Sequence, residues 1–305
     1  MVPFWQALTT AAVREAMSSF EMLRAMWLLT VASLMNSARP ISLLIAPKGT
    51  IVAMASHGAS ARTRPHDPED TLNPLLTSAG VRNPSIRGAL LGLLGKPIAE
   101  CSALCIPTAS YGHPKAGPAA AWRCVSGVAS DPPMIGLGWK SMGVLELTAL
   151  PSIDADLWVP LVRETDALLV NGGDPLYLCH WMRQSGLADL LPSLPAVFVG
   201  LSAGSMVMTP SIGQDFFGWT PPSGGDETLC LVDFSIFPHL DHEMMPENTM
   251  ADAERWAAGM PVPAYAIDDE TAIKVDDGSV EVASEGRWRF FDRSGDPLPA
   301  TAGGC

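Results

Sequence analysis

The chain has 305 residues, of which 48% are hydrophobic and 17% are charged, a composition typical of a globular protein with a sizeable core. Its formal net charge is −13, and no basic stripe interrupts the acidic sequence. This balance argues against nucleic acid and anionic membrane surfaces as partners, and it favours small molecules, peptides or other proteins.

Residues 1–71 read differently from the rest and are predicted to form an N-terminal extension and linker without an assigned function. An amphipathic helix is predicted over residues 10–35, and a polar linker follows after residue 54. The longest apolar run here, residues 25–35, is about half of what a bilayer span requires. We therefore expect no membrane span and no cleaved signal. The six scattered cysteines indicate a reduced, cytoplasmic protein.

From residue 72 onward, short apolar runs alternate with helix-length segments, which predicts an α/β domain over residues 72–292 and a tail over 293–305. The sheet is expected to be mostly parallel with helices on both faces. A small β-hairpin extension near the C-terminus is predicted from Asp276-Asp277-Gly278. The predicted strands lie within residues 74–80, 103–109, 144–150, 166–173 and 196–204, and the predicted helices within residues 85–94, 176–191 and 247–258.

The candidate nucleophile is Ser202, in Gly200-Leu201-Ser202-Ala203-Gly204, which fits the G-x-S-x-G pattern. A strand-like apolar run precedes this pentapeptide and a helix-compatible segment follows it. The glycines allow a tight turn that exposes the serine, and the helix start aims N–H groups at developing negative charge. The pattern therefore favours a nucleophile over an ordinary glycine-rich turn.

The candidate base is His239, which follows an apolar run and Pro238 and so falls at the end of a strand. The same segment offers a rival interpretation, a metal cluster formed with Asp241, His242 and Glu243. No second group of Cys or His completes a coordination set, so we expect no metal at this site.

A third, orienting group would be a carboxylate, and two places in the sequence supply one. Asp215 follows the nucleophile helix, and Asp268-Asp269-Glu270 comes at the end of an apolar run. We favour Asp269, although spacing alone leaves the choice open.

An oxyanion hole needs two N–H donors near the nucleophile. One would be the backbone of Ala203, and the other would come from the Gly172-Gly173 turn at the end of a neighbouring strand. That turn also places Asp174 as a helix N-cap before Pro175, and the two roles are compatible.

Six landmarks, taken together and in this order, resemble the peptidase E (aspartyl dipeptidase) and cyanophycinase family of serine peptidases. The resemblance covers residues 72–291 and implies a fold like that of class I glutamine amidotransferases, a flavodoxin-like three-layer arrangement. The landmarks are "PLLTSAG", "ALCIPTASYG", "ALLVNGGDPLYL", "VFVGLSAGSMVMTPSI", "FPHLD" and "YAIDDETAIKV".

For the catalytic groups, the resemblance implies Ser202 as nucleophile and His239 as base. It implies Asp269 as the orienting acid, where relatives often have Glu, with Asp215 as the second candidate. The order serine, histidine, acid differs from the order in α/β-hydrolases, which favours this family over a lipase or esterase.

For substrate binding, the resemblance implies oxyanion contacts from Ala203 and from the Gly172 and Gly173 turn. Asp174 stands where relatives often have Asn. Arg255 is the obvious cation for binding a substrate carboxylate, in a segment otherwise poor in basic residues.

The expected activity is hydrolysis of short peptides, with Asp-X dipeptides among the candidates, and without a metal or organic cofactor. The expected partner is a small peptide substrate, and a homodimer is one assembly that this class allows. Two alternatives stay open: a cyanophycinase-like isopeptide hydrolase, and a non-catalytic amidotransferase-like binding module. A true glutamine amidotransferase would carry cysteine in place of Ser202.

Overall fold

The computed structural model describes residues 41–45, 51–55, 72–126, 134–216 and 218–292. Its contacts divide the chain into two units, Met1–Thr63 and Arg64–Cys305. In the first unit, strands β1 (Ile41–Ile45) and β2 (Ile51–Ala55) form an antiparallel pair. The helix predicted over residues 10–35, the predicted linker and the tail after residue 292 lie outside the described residues.

The second unit alternates strands and helices along the chain, as the sequence pattern predicts. Its strands are β3 (Asn73–Thr77), β4 (Ser102–Ile106), β5 (Ser141–Val144), β6 (Ala167–Val170), β7 (Val197–Leu201), β8 (Ser235–Phe237), β9 (Ala264–Ile267), β10 (Thr271–Asp276), β11 (Ser279–Ser284) and β12 (Trp288–Phe291). Its helices are α1 (Pro84–Leu94), α2 (Ala109–Gly112), α3 (Gly117–Ser126), α4 (Ala155–Glu164), α5 (Pro175–Gln184), α6 (Leu187–Leu190), α7 (Ala203–Met206) and α8 (Met250–Ala258).

The main sheet has seven strands in the order β11-β10-β3-β7-β6-β4-β5. The strands from β3 to β5 in this order run parallel, and β10 and β11 are antiparallel additions at the edge beside β3. The carboxyl ends of the parallel strands therefore share one edge, where ligand sites of open α/β sheets form. The predicted α/β class with a mostly parallel sheet is confirmed.

Both faces of this sheet are buried, because alternate residues of one strand enter different cores. Leu168 and Phe198 pack in one hydrophobic cluster, and Leu169 and Val199 pack in the other. Helices α4 and α5 cover the first face and α1 covers the second. Burial on both faces explains why these strands read as continuous apolar runs rather than as alternating ones.

The predicted hairpin is present, but it belongs to the main sheet instead of standing apart. Asp277 and Gly278 both have positive φ, 48° and 78°, which is the type I′ turn expected between β10 and β11. The last strand, β12, joins a separate three-stranded sheet in the order β12-β9-β8.

Two predicted elements differ in extent from the structure. The run at 144–150 is not a strand beyond β5, because the Glu146 carboxylate there bonds to Thr108 and Thr148 and shapes a turn. The helix predicted over 176–191 is divided between α5 and α6, since Gly186 adopts a left-handed conformation with φ 80°. Within the described ranges, no helix has the length and hydrophobicity that spanning a membrane would take.

Candidate active site

Ser202 lies on a sharp turn between β7 and α7, at the carboxyl edge of the main sheet. Its backbone has φ 50° and ψ −110°, a conformation that a residue with a side chain rarely adopts. Such strain costs about 1–3 kcal/mol and is typical of a nucleophile on a strand-to-helix elbow. The Ser202 N–H donates to Thr77 O at 3.0 Å, which ties the elbow to the adjacent strand β3.

The glycines on either side of Ser202 are required by close backbone contacts. A Cβ on Gly200 would lie 2.6 Å from Gly204 O, and a Cβ on Gly204 would lie 2.2 Å from Val170 O. The turn is therefore packed so tightly against itself and against β6 that side chains at both positions would force it open.

His239 follows β8 and is held in an unusual backbone conformation, with φ 57°. Its N–H donates to Ser78 Oγ at 2.8 Å, while Asn248 Nδ2 donates to the preceding carbonyl of Pro238 at 3.1 Å. The next residue, Leu240, is buried and donates its N–H to Ile267 O on β9. These contacts fix the loop on both sides of the imidazole and direct the ring towards the elbow.

The side chains of Ser202, His239 and Asp269 form one continuous line of contacts. His239 Nε2 lies 2.9 Å from Ser202 Oγ, and His239 Nδ1 lies 2.7 Å from Asp269 Oδ1. The three residues come from the ends of β7, β8 and β9, so the line joins both sheets of the second unit. This is the arrangement of a nucleophile, a base and an orienting carboxylate.

Ser78, which directly follows β3, is a fourth member of this arrangement that the sequence analysis did not identify. Its buried hydroxyl donates to Asp269 Oδ1 at 2.9 Å and accepts the His239 N–H, so it links acid and base. The only signal in the sequence was its place after an apolar run in "PLLTSAG". Serine is common at such positions, and spacing gave no reason to select it.

The contacts of Asp269 keep its carboxylate ionised. Burial alone would raise the pKa of Asp269, but hydrogen bonds from His239 and Ser78, with the nearby imidazoles of His239 and His242, lower it below the ordinary aspartate value. An ionised carboxylate is the form that orients His239 and stabilises its protonated state.

The other carboxylates considered for the orienting role lie elsewhere. Asp268 bonds within its own turn, where it accepts from Thr271 Oγ1 at 2.7 Å and from the Arg287 N–H. Asp215 is exposed on a 3-10 turn over Gln214–Phe216 and makes no hydrogen bond to His239 among the described residues. The structure thus brings Asp269, and not Asp215, to the histidine.

The Gly172-Gly173 turn after β6 lies directly against the elbow. A Cβ on Gly172 would come within 3.4 Å of Ser202 Cβ and 2.8 Å of Leu201 Cδ2. Gly173 has φ 147°, and a Cβ there would meet Ala109 O at 2.2 Å. The turn expected to supply oxyanion contacts is thus next to the serine, and the backbone contacts at Gly173 require glycine there.

Asp174 does not face the reacting groups, contrary to its proposed place among the substrate-binding residues. Its buried carboxylate accepts the N–H of Tyr177 at 2.8 Å, as the N-cap of α5, and the N–H of Trp219 at 2.5 Å. Burial raises the pKa of Asp174, although the backbone hydrogen bonds act in the opposite direction. Of the two roles that the sequence allowed, the structure therefore supports the helix N-cap role of Asp174.

Arg255, expected to bind a substrate carboxylate, lies on the exposed side of α8. Its guanidinium pairs with Asp252 one turn earlier on the same helix and donates to Ala251 O at 3.2 Å. Within the described part of the chain, it makes no contact with the triad. In the same ranges, no three His, Cys, Asp or Glu side chains are arranged to hold a metal ion.

Comparison with known proteins gives a family for this architecture. Residues 134–283 match the model of peptidase family S51. A curated peptidase E from Nostoc sp. (strain PCC 7120) is 26% identical over 132 residues, which is 40% of this chain and 54% of the relative. The match thus spans about half the length of that relative.

Two solved structures share the fold. A Listeria monocytogenes EGD-e protein described as a candidate peptidase E is 18% identical, with a TM-score of 0.50 over 71% of this chain and 100% of its own. A peptidase from an acI-B1 Actinobacterium is 19% identical, with a TM-score of 0.53 over 73% of this chain and 91% of its own. Residues 134–283, just under half of this chain, are thus similar to peptidase family S51, and the fold is shared with both solved structures.

Proposed function

We propose that this chain is a serine peptidase that hydrolyses short peptides, with Ser202 as nucleophile. The observation that carries the proposal is the line of contacts from Ser202 Oγ through both ring nitrogens of His239 to Asp269 Oδ1, at 2.9 and 2.7 Å. The match of residues 134–283 to peptidase family S51 suggests the reaction class.

The contacts assign a role to each group in acyl transfer. The ionised Asp269 accepts a hydrogen bond from the N–H at His239 Nδ1, so Nε2 is unprotonated and can accept the hydroxyl proton of Ser202 as its oxygen attacks the peptide carbonyl. The C–N bond then breaks, and the imidazolium returns the proton to the leaving amine. Water, deprotonated in turn by His239, attacks the acyl-enzyme and releases the acid.

Two backbone donors fit the developing oxyanion. The N–H of Ala203 is in the first turn of α7, where N–H groups have no intrahelical acceptor. The Gly172 carbonyl accepts from Ser110 Oγ at 3.1 Å, so the N–H of Gly173 in the same trans peptide points the opposite way. We assign the oxyanion contacts to these two groups.

The proposal does not include a requirement for aspartate in the substrate. Arg255, the cation expected to bind a substrate carboxylate, is instead paired with Asp252 on an exposed helix surface. Of the alternatives, a binding module that keeps the elbow only as a turn is disfavoured, because it has no need for Ser202 and His239 to lie 2.9 Å apart.

The test is a dipeptide library that includes Asp-X and β-linked Asp-Arg substrates, assayed with the wild type, Ser202→Ala and Ser193→Ala. Ser193 is an exposed serine whose hydroxyl bonds to Leu190 O, so it serves as the matched control. Loss of Ser202 should reduce turnover by about four to six orders of magnitude, whereas the control should match the wild type. Turnover by Ser202→Ala at the wild-type rate would overturn the proposal, and cleavage of β-linked Asp-Arg alone would favour the isopeptide alternative.

A further inference from the structure

We propose that His242 is a positioning residue for the same triad: it lies against the second oxygen of the Asp269 carboxylate and thereby weakens the interaction of that carboxylate with His239. The inference rests on the proposed function, because it concerns the proposed base. His242 is three residues after His239, in the loop between β8 and α8.

The backbone fixes which nitrogen of His242 carries the proton. The N–H of Met244 donates to His242 Nδ1 at 3.1 Å, so Nδ1 must be the unprotonated acceptor of the neutral ring. The proton of the neutral ring is therefore on Nε2. That nitrogen lies 3.5 Å from Asp269 Oδ2, which is an ion-pair distance and longer than an ordinary hydrogen bond.

With this contact, both oxygens of the carboxylate are engaged. Oδ1 accepts from His239 Nδ1 and Ser78 Oγ, and Oδ2 has His242 Nε2 as its neighbour. Partners on both oxygens restrict rotation of the carboxylate and hold Oδ1 towards the base. They also draw negative charge away from Oδ1, which weakens the attraction of Asp269 for a proton on His239.

Of the other charged groups on this loop, Glu243 and Glu247 are exposed to solvent and Asp241 forms an ion pair. Asp241 pairs with Arg287, from the turn between β11 and β12, at 2.8 Å. The His239 and His242 rings have centroids 6.0 Å apart, so any positive charge on His242 also opposes protonation of His239. Both effects of His242, the N–H dipole and the charge, act in the same direction on the base.

The test is a titration of the wild-type chain and two variants, with ¹⁵N-labelled histidine followed by NMR. His242→Phe keeps a planar ring but removes the N–H, and His242→Gln keeps an N–H donor at the reach of Nε2 for Asp269 while giving up the acceptor for Met244. The titration midpoint of His239 should rise by about half a pH unit in the Phe variant, a modest shift because the His242 side chain is 34% exposed. In the Gln variant it should stay close to the wild-type midpoint.

His113→Phe is the matched control, because Lys115 N–H donates to His113 Nδ1 at 3.2 Å in the same local geometry but the ring has no carboxylate at ion-pair distance within the described residues. It should leave the His239 midpoint unchanged. An unmoved midpoint in His242→Phe, equal shifts in the Phe and Gln variants, or a wild-type His242 protonated on Nδ1 would each overturn the inference. Because the midpoint is read without turnover, these outcomes are distinct from a failure of the peptidase proposal.

Discussion

At the scale of residues, a few hydrogen bonds determine which of several carboxylates lies beside His239. Spacing in the sequence could not distinguish Asp215, Asp268 and Asp269 as the orienting acid, since each follows a predicted element near the nucleophile or base. The turn after β9 separates the last two: Asp268 closes that turn, while Asp269 points at His239. Ser78 then holds Asp269 and His239 together, a contact between residues 161 or more positions apart that no local pattern encodes.

Replacing Asp269 with Asn should reduce peptide turnover by about 10⁴-fold, because the amide can no longer hold a proton on His239 Nδ1 and the wrong tautomer faces Ser202. The same change at the exposed Asp215 should have no comparable effect. Steady-state kinetics of the two variants distinguish the candidates. A larger loss with Asp215→Asn would mean that the acid has been assigned to the wrong residue.

The lowered pKa of Asp269 also predicts a dependence of stability on pH. The stabilisation from this carboxylate is present above the pKa of an unfolded aspartate, about 3.9, and is lost as the pH falls through the lower folded-state value. The difference in unfolding free energy between the wild type and Asp269→Asn should therefore shrink below about pH 4.

At the scale of elements, three glycines in two turns let backbone segments approach closely enough to build the site. Gly200 and Gly204 let the elbow contact itself and β6, and Gly173 lets the next turn lie against the Ala109 peptide. The turn around Ser202 could be predicted from the sequence because a strand and a helix flank it. The break at Gly186 could not be predicted, because it depends on a single left-handed residue inside a helical pattern. The early end of β5 could not be predicted either, because it depends on a contact of Glu146 with Thr108 in the loop after β4.

Gly173→Ala should destabilise the fold by about 2–4 kcal/mol, because the new Cβ would collide with backbone atoms that cannot move independently of α2. Gly92→Ala is the matched control. Its Cβ meets nothing within 4 Å in the last turn of α1, so it should stabilise by up to about 1 kcal/mol. Denaturant unfolding measures both, and a neutral Gly173→Ala would contradict the packing of this turn.

At the scale of the whole molecule, the site exists only because the two sheets of the second unit meet. Ser202 and Ser78 come from the parallel sheet, and His239 and Asp269 come from the smaller one. The sequence predicted the parallel sheet well, since buried strands are continuous apolar runs. It did not predict the second sheet, whose short strands pair across distant segments, nor that β10 would extend the main sheet.

Covalent labelling with a serine-directed fluorophosphonate, followed by mass spectrometry of the labelled peptide, tests whether the fold makes Ser202 a nucleophile. We expect one adduct, on Ser202, in the native chain, and none in Ser202→Ala or in the wild type unfolded in urea. An unlabelled Ser202 in the native chain, or equal labelling of Ser202 in the native and unfolded states, would contradict it.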